Sequence, residues 1–196
     1  PLWKGGTTLH WRFDERSLRR SGNVEVIKRR VRALLGDAIA AWGIAAPVTF
    51  QERQRGWDFE IAVLARKDCG IDGCTLASAF FPSSQRQRLL IYPTLFEYDR
   101  LEQVATLVHE LGHIFGLRHF FAVTDESEYP SLIFGEHSSY TVMNYGTKSR
   151  LTAADRRDLI RLYDAAWSSD PQARLGLPVR LVRAPNAASG SQGSGR

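Results

Sequence analysis

Histidines at 109, 113 and 119, with a glutamate at 110 and a glycine at 116, make up the string His-Glu-Leu-Gly-His-Ile-Phe-Gly-Leu-Arg-His. The first two histidines are four residues apart. On an α-helix that spacing leaves them about 40° from eclipsed, close enough for both imidazoles to grip one tetrahedral zinc. Gly116 comes about one turn after His113, where a residue free to take positive φ can end the helix and bring His119 round as a third ligand. Three histidines leave a fourth position open to water, as in catalytic zinc sites, whereas structural sites close the shell with a fourth protein ligand. Glu110 would stand beside the metal and take the proton of that water.

The five-residue core of this string also turns up by accident in unrelated helices, but the added Gly and His at fixed offsets make coincidence a poor account of it. Of the 5 histidines in the chain, three lie here. The only methionine, Met143, sits downstream in Ser-Tyr-Thr-Val-Met-Asn-Tyr-Gly, residues 139–146, where this motif expects a methionine turn. His10 and His137 have no partner at ligand spacing and are expected to be surface or structural residues.

Elements must hold these side chains in place. Asp99, with Glu102 three residues on, is a capping pair for a helix running to Gly116, with Leu101, Ala105, Val108, Gly112 and Phe115 along one face. Before it, residues 7–14 have the alternating, aromatic character of a strand. Residues 23–42 predict a helix capped by Asn23, with Ile27, Val31, Leu34, Leu35, Ala38, Ile39 and Trp42 at helical spacing and Gly43 as its stop. Residues 48–51, 59–64, 76–81 and 88–92 are strand candidates. Thr152 with Asp155 opens a last helix through Tyr163, burying Leu159, Ile160 and Tyr163. Beyond it the pattern fades, and residues 167–196 are expected to be a flexible basic tail or linker ending in Ser and Gly, leaving 1–166 as one catalytic domain.

On these residues the chain resembles the metzincin clan of zinc endopeptidases, in which a turn carrying a methionine forms an apolar floor beneath three metal-bound imidazoles. Met143 matches that methionine. Tyr145 matches the tyrosine that in astacin-like and serralysin-like members reaches the metal or the tetrahedral intermediate, where matrixins usually have proline. The element order, residues 73–82 and residues 151–155 are similar to a matrixin catalytic domain over about 3–163. The resemblance implies an α+β metzincin zincin fold: a twisted mixed sheet of about five strands, long backing and active-site helices, and a smaller C-terminal subdomain holding the methionine turn and last helix.

It further implies a zinc-dependent endopeptidase with one catalytic Zn2+ on His109, His113 and His119, Glu110 as general base and Tyr145 as a donor to the developing oxyanion. A protein or peptide substrate would lie extended along the edge segment at Ala77, Ser78, Ala79 and Phe80. A side-chain pocket would be walled by the stretch from Asn144 through Gly146 to Lys148, with an apolar residue favoured after the scissile bond. A zinc domain without catalysis that binds a protein partner, or a processing protease confined to one substrate, are the alternatives. Some positions depart from the matrixin pattern. Ser78 and residues 90–93 replace the histidine elements that bind a structural zinc, so none is expected. Asp72 alone is a poor remnant of a Ca2+ loop, and calcium stays open. Phe120 matches no subfamily marker, and residues 120–142 form a longer connection than matrixins carry, with Asp125, Glu126 and Glu128 expected to be a solvated acidic loop.

Bulk properties narrow the remaining classes. At 196 residues and 43% hydrophobic, the chain can bury one full core. The net charge of +5 invites a nucleic-acid reading, but removing the four arginines after Asp170 from 26 basic residues leaves 22 against 21 acidic ones. A nearly neutral body argues against a nucleic-acid partner. No apolar run is long enough to span a bilayer, and the expectation is a secreted, extracellular monomer. Cys69 and Cys74 flank a glycine-bearing loop, and a disulfide is the first expectation, contributing only about 2 kcal/mol over so short a loop; two free thiols in a reducing compartment are the alternative.

Overall fold

In the computed structural model, residues 1–71, 73–126, 131–136, 138–146, 148–176 and 178–186 are described. The chain runs β1 (Leu2–Trp3), β2 (Thr8–Phe13), α1 (Glu15–Ser21), α2 (Val24–Trp42), β3 (Thr49–Glu52), β4 (Phe59–Val63), β5 (Asp68–Gly70), β6 (Gly73–Thr75), β7 (Ala77–Ser78) and β8 (Arg88–Ile91). It continues through α3 (Arg100–Ile114), α4 (Ala122–Asp125), α5 (Ala153–Ala166), α6 (Pro171–Leu175) and β9 (Leu181–Val182).

Five strands form the main sheet in the order β3-β2-β4-β8-β7. β2, β3, β4 and β8 are mutually parallel and β7 is antiparallel at the edge. β2 alternates, burying Leu9, Trp11 and Phe13, so one face of the sheet turns to the core and the other to solvent. β7 is shorter than the strand expected over 76–81, covering only Ala77–Ser78, which pair with Ile91 and Leu90. This is the mixed α+β sheet with helices that the sequence implied.

The two long helices cross the buried face. In α2 the Asn23 side chain accepts from the Val26 N–H at 3.2 Å, and Gly43 at φ 56 stops the helix. Its Val31, Leu34, Leu35, Ala38 and Trp42 are buried, while Ile27 and Ile39 pack at the margin. α3 is capped by Asp99, whose Oδ1 accepts from Glu102 N–H at 2.9 Å, and it ends at Ile114 rather than at Gly116. Trp42 Nε1 donates to the Val108 carbonyl at 3.0 Å, fastening α2 to α3. One core expectation is corrected: Leu101 is 81% exposed, and Gln103, Leu107, Leu111 and Ile114 occupy the buried side. A first-turn apolar residue follows the helical stripe on paper, but the side of that turn which docks on α2 is taken by Gln103, bonded to Arg30 at 3.2 Å, and Leu101 is left to solvent.

The tail expectation is also corrected as far as residue 186. Trp167 Nε1 donates to the Trp3 carbonyl at 2.9 Å, β9 pairs in parallel with β1, Ala184 is buried and Asn186 N–H reaches Asp58 Oδ1 at 2.9 Å. Two-residue strands are too short to leave a period in sequence, which is why this stretch reads as aperiodic. Residues 187–196 lie outside the described residues. Cys69 faces Cys74 across the β5–β6 hairpin and the two are joined in a disulfide. Among the described residues no helix is long and apolar enough to cross a membrane.

Candidate metal centre

α3 delivers the first two histidines from a buried stretch in which every residue from Leu107 to Ile114 is buried. Gly112 lies between them, and the floor beneath explains its identity. A Cβ at position 112 would meet Met143 Sδ at 2.4 Å, so the absence of a side chain is what lets the methionine turn close against the helix. Met143 is itself 5% exposed. After α3, Gly116 takes φ +92 and sits so close to the N-terminal strand that a Cβ would lie 2.9 Å from the Pro1 carbonyl oxygen. That turn is pinned on its other side too: Tyr163 donates its hydroxyl to the Phe115 carbonyl at 2.9 Å and Trp3 Nε1 donates to Ile114 at 2.6 Å. It swings His119 back over His109 and His113, and the ligand atoms of the three lie within 4.8 Å of one another.

Each imidazole is oriented by what its outer nitrogen meets. His109 Nδ1 donates to the Val142 carbonyl at 2.7 Å, and His113 Nδ1 donates to the Leu117 carbonyl at 2.8 Å. His119 Nδ1 donates to Glu126 Oε1. Since carbonyls and carboxylates only accept, each Nδ1 carries the proton and each Nε2 offers a lone pair. Two of these lone pairs, on His113 and His119, face one another at 3.1 Å. Tetrahedral zinc with Zn–N of about 2.0–2.1 Å sets two ligand nitrogens about 3.3 Å apart, close to this spacing. Burial keeps the helix pair neutral, pushing His109 down to about 4 and His113 down to about 3, against the bonds to Val142 and Leu117 that pull the other way. The residues present fit one zinc.

Glu110 is 6% exposed and its Oε2 is buried without a hydrogen-bond partner. Burial pushes its carboxyl up to about 8, offset only in part by the Ala79 backbone N–H. A buried carboxylate with one orphaned oxygen beside three inward imidazole lone pairs is what a resident cation and water would complete. The Tyr145 hydroxyl lies 2.7 Å from His119 Nε2, so this O–H and a metal would compete for the same lone pair, and the ring stacks against His109 with centroids 5.5 Å apart. Partial burial of the hydroxyl, with the Glu110 and Glu126 carboxylates nearby, pushes it up to about 12. It is therefore a protonated donor across the physiological range.

The methionine turn is held from below by α5. Asp155 closes the helix capping box with Thr152, and the same carboxylate accepts from Thr141 Oγ1 and, at 3.4 Å, from Val142 N–H. Since Val142 is the acceptor for His109, the start of α5 is two bonds from the first ligand. Phe120 N–H donates to the Met143 carbonyl at 2.7 Å, tying the segment after His119 to the same turn.

A cleft of about 600 Å³ opens in front, lined by Thr75, Ala77, Ser78, Ala79 and Phe81 on the sheet side and by Glu110, His113, Arg118, His119, Asp125, Glu126 and Tyr145. Three of the expected edge residues are therefore here. Phe80 is not: it is 4% exposed and packs on Phe59 at 5.2 Å in the core, while Phe81 faces the cleft. Past Ser78 the chain leaves the sheet ladder, and the expected alternation shifts with it. Asn144 and Gly146 do not line the cleft either. Asn144 closes the methionine turn on itself, donating to the Ser139 carbonyl and accepting from Tyr145 N–H. His10 lies elsewhere, on Asp58 at 3.2 Å, and His137 and Glu128 are outside the described residues.

Sequence reasoning missed Glu126, placed in a solvated acidic loop. Instead it accepts from His119 Nδ1 and from both Arg118 Nε, at 3.1 Å, and Nη2. Its carboxyl is lowered despite some burial, by the bonds from His119 and Arg118 and their charge. The available signal was chemical rather than periodic: a ligating histidine asks for an acceptor on its outer nitrogen, and an acidic run begins six residues after His119.

A helix giving two histidines, a glycine turn returning a third and a methionine turn beneath them, set against a mixed sheet with an antiparallel edge, make this arrangement similar to that of metzincin-like zinc metalloproteases. No family model matches the chain. Stromelysin-3 of Homo sapiens is 31% identical over 112 residues, 48% of this chain and 22% of that protein, and stromelysin-3 of Mus musculus is 30% identical over 112 residues. The chain thus spans about a fifth of the length of the curated relatives it matches. Two solved structures of myroilysin share the fold, one with TM-score 0.56 at 13% identity, covering 83% of this chain and 95% of that one, the other with TM-score 0.53 at 14% identity.

Proposed function

We propose that this chain is a zinc-dependent endopeptidase, with His109, His113 and His119 holding the metal. The observation that carries the proposal is the convergence of three Nε2 lone pairs, each fixed by a bonded Nδ1, beside a buried Glu110 whose Oε2 has no partner. Zinc held there would supply a Lewis acid that acidifies water and polarises a peptide carbonyl.

Glu110 takes the proton of the attacking water and passes it to the leaving amine, a role that its place on α3 between the two helical ligands allows. Tyr145, protonated and set over His119, donates a hydrogen bond to the oxygen on which charge develops. The substrate lies extended against Ala77, Ser78 and Ala79, adding a strand to the β7 edge. An apolar residue after the scissile bond is part of the same proposal, as is an extracellular setting, which the disulfide on an exposed hairpin favours.

The test is cleavage of casein and a quenched peptide library by wild type beside Glu110→Ala, with zinc content measured on both. Zinc in both and cleavage by wild type alone is the expected result, with the variant down at least about 100-fold. The library gives the site preference in the same experiment. Zinc in both and cleavage by neither would favour a metal-stabilised binding domain or a protease confined to one substrate.

A further inference from the structure

We infer that Glu126 is a positioning residue of the metal centre, so that the segment after the third ligand is a working part of the site and not a surface excursion. The inference rests on zinc at His109, His113 and His119, as proposed above. Of the three ligands, the two on α3 hand their outer protons to main-chain carbonyls. His119 alone hands its proton to a charged side chain. A carboxylate there fixes the tautomer, locks the ring plane and raises the basicity of the inward nitrogen, effects a neutral carbonyl supplies more weakly.

Glu126 is held for this task from the far side. Arg118, the residue before the ligand, meets the carboxylate through Nε and Nη2 and places its guanidinium 5.4 Å from the centre of the Phe81 ring. Phe81 in turn lies 5.2 Å from the His113 ring. The contacts close a circuit: His119 to Glu126, Glu126 to Arg118, Arg118 over Phe81, Phe81 against His113. α4 supplies the reach. Ala122 N–H donates to the His119 carbonyl and Glu126 N–H to the Ala122 carbonyl, so one short helical turn folds the chain back onto the ligand it has just left. Phe121 stacks on the exposed face of His119 with ring centroids 4.9 Å apart and planes 16° from parallel. His119 lacks the helix that steadies the other two and has, besides these contacts, only Tyr145 and the loop that carries it.

Zinc affinity, measured by competition with a chromophoric chelator, tests the inference without any use of proteolysis. Glu126→Ala is expected to bind zinc 10–100-fold more weakly than wild type, the range for lost partners of ligating histidines. Glu126→Gln keeps an accepting oxygen for Nδ1 and should recover part of that loss. The visible spectrum of the cobalt-loaded alanine variant should shift while its metal-free melting temperature stays at the wild-type value. Affinity within twofold of wild type for Glu126→Ala overturns the inference. So does an equal loss in both variants accompanied by a fall in metal-free melting temperature, since that pattern assigns Glu126 to packing of the segment. A wild type that binds zinc and cleaves nothing counts against the protease and leaves this result readable; a folded wild type without zinc removes the metal centre and the inference with it.

Discussion

The two halves of the metal centre are built on different terms. His109 and His113 stand on α3, in a stretch wholly buried and packed on α2 through Trp42, and their outer nitrogens meet backbone carbonyls. His119 and Tyr145 stand on irregular chain, with Tyr145 62% exposed, and are held by Glu126, Arg118, Phe121 and each other. Apolar burial positions the first half, and polar contacts near solvent position the second. Substitutions in the helix should therefore register in stability, whereas substitutions in the segment should register in metal affinity or rate with the fold intact.

The sharpest form of that contrast is Tyr145→Phe. Loss of a positioned donor to a developing oxyanion costs about 100-fold in rate, and removing a hydroxyl from a side chain outside the apolar core leaves that core untouched. Turnover of the library's best substrate should fall about 100-fold with zinc content and melting temperature unchanged; full activity would take Tyr145 out of the chemistry. Gly112→Ala is the counterpart on the helix side. The new methyl meets buried Met143, and overpacking of this sort costs about 1–3 kcal/mol. In a domain of this size that lowers the metal-free melting temperature by several degrees, at roughly 2–4 °C per kcal/mol. An unchanged melting curve would mean that Met143 has room to yield, and that the floor is looser than its 5% exposure implies.

The same division explains what was legible in the sequence. The ligand spacing, the Asn23, Asp99 and Thr152 caps, and the stripe of α2 are local patterns with a fixed period or offset, and they reappear in the structure where the sequence put them. Glu126 had no such period. Its role depends on a four-residue helix folding back on His119, which is set by tertiary contacts. Phe80 turned into the core, and Phe81 to the cleft, because the strand ends at Ser78, and alternation carries no information past the last ladder bond. Residues 167–186 were invisible for a related reason: β1 and β9 stabilise one another across nearly the whole chain, and neither has a pattern alone. The exposed Leu101 erred the other way: in its turn the buried position belongs to the polar Gln103, which an apolar stripe does not mark.

Acid and base should separate the buried ligands from Glu110 in the metal-free protein. His109 and His113 fall from 6.5 to about 4 and about 3, so below 6.5 the unfolded chain takes up protons that the folded chain refuses. Their contribution is whole above 6.5 and is lost as pH falls toward 4. Glu110 rises from 4.5 to about 8, so its contribution is whole below 4.5 and is lost as pH rises through 8. Between 4.5 and 6.5 two imidazoles oppose one carboxyl and stability climbs with pH; above 6.5 only the carboxyl acts and stability declines toward 8. Melting temperature of chelator-treated protein should therefore peak near pH 6.5, and the falling limb should vanish in Glu110→Gln. A falling limb that survives in that variant would belong to other groups, and the burial assigned to Glu110 would be too great.

The smallest effect marks the outer limit of the helix. Leu101 occupies the first turn of α3 at 81% exposure, two residues from the Asp99 cap, with no core neighbour to lose on truncation. Alanine has slightly better helix propensity than leucine and carries no side-chain entropy cost. Leu101→Ala should change unfolding free energy by less than about 0.5 kcal/mol, the range for surface sites away from caps and cores, and leave zinc affinity alone. Leu107→Ala, six residues further along and fully buried, should cost about 2–5 kcal/mol. A substantial loss from Leu101→Ala, measured by urea titration with an unchanged slope, would mean that the Leu101 side chain itself docks on something. The buried face of the ligand helix would then extend past Gln103 to Leu101.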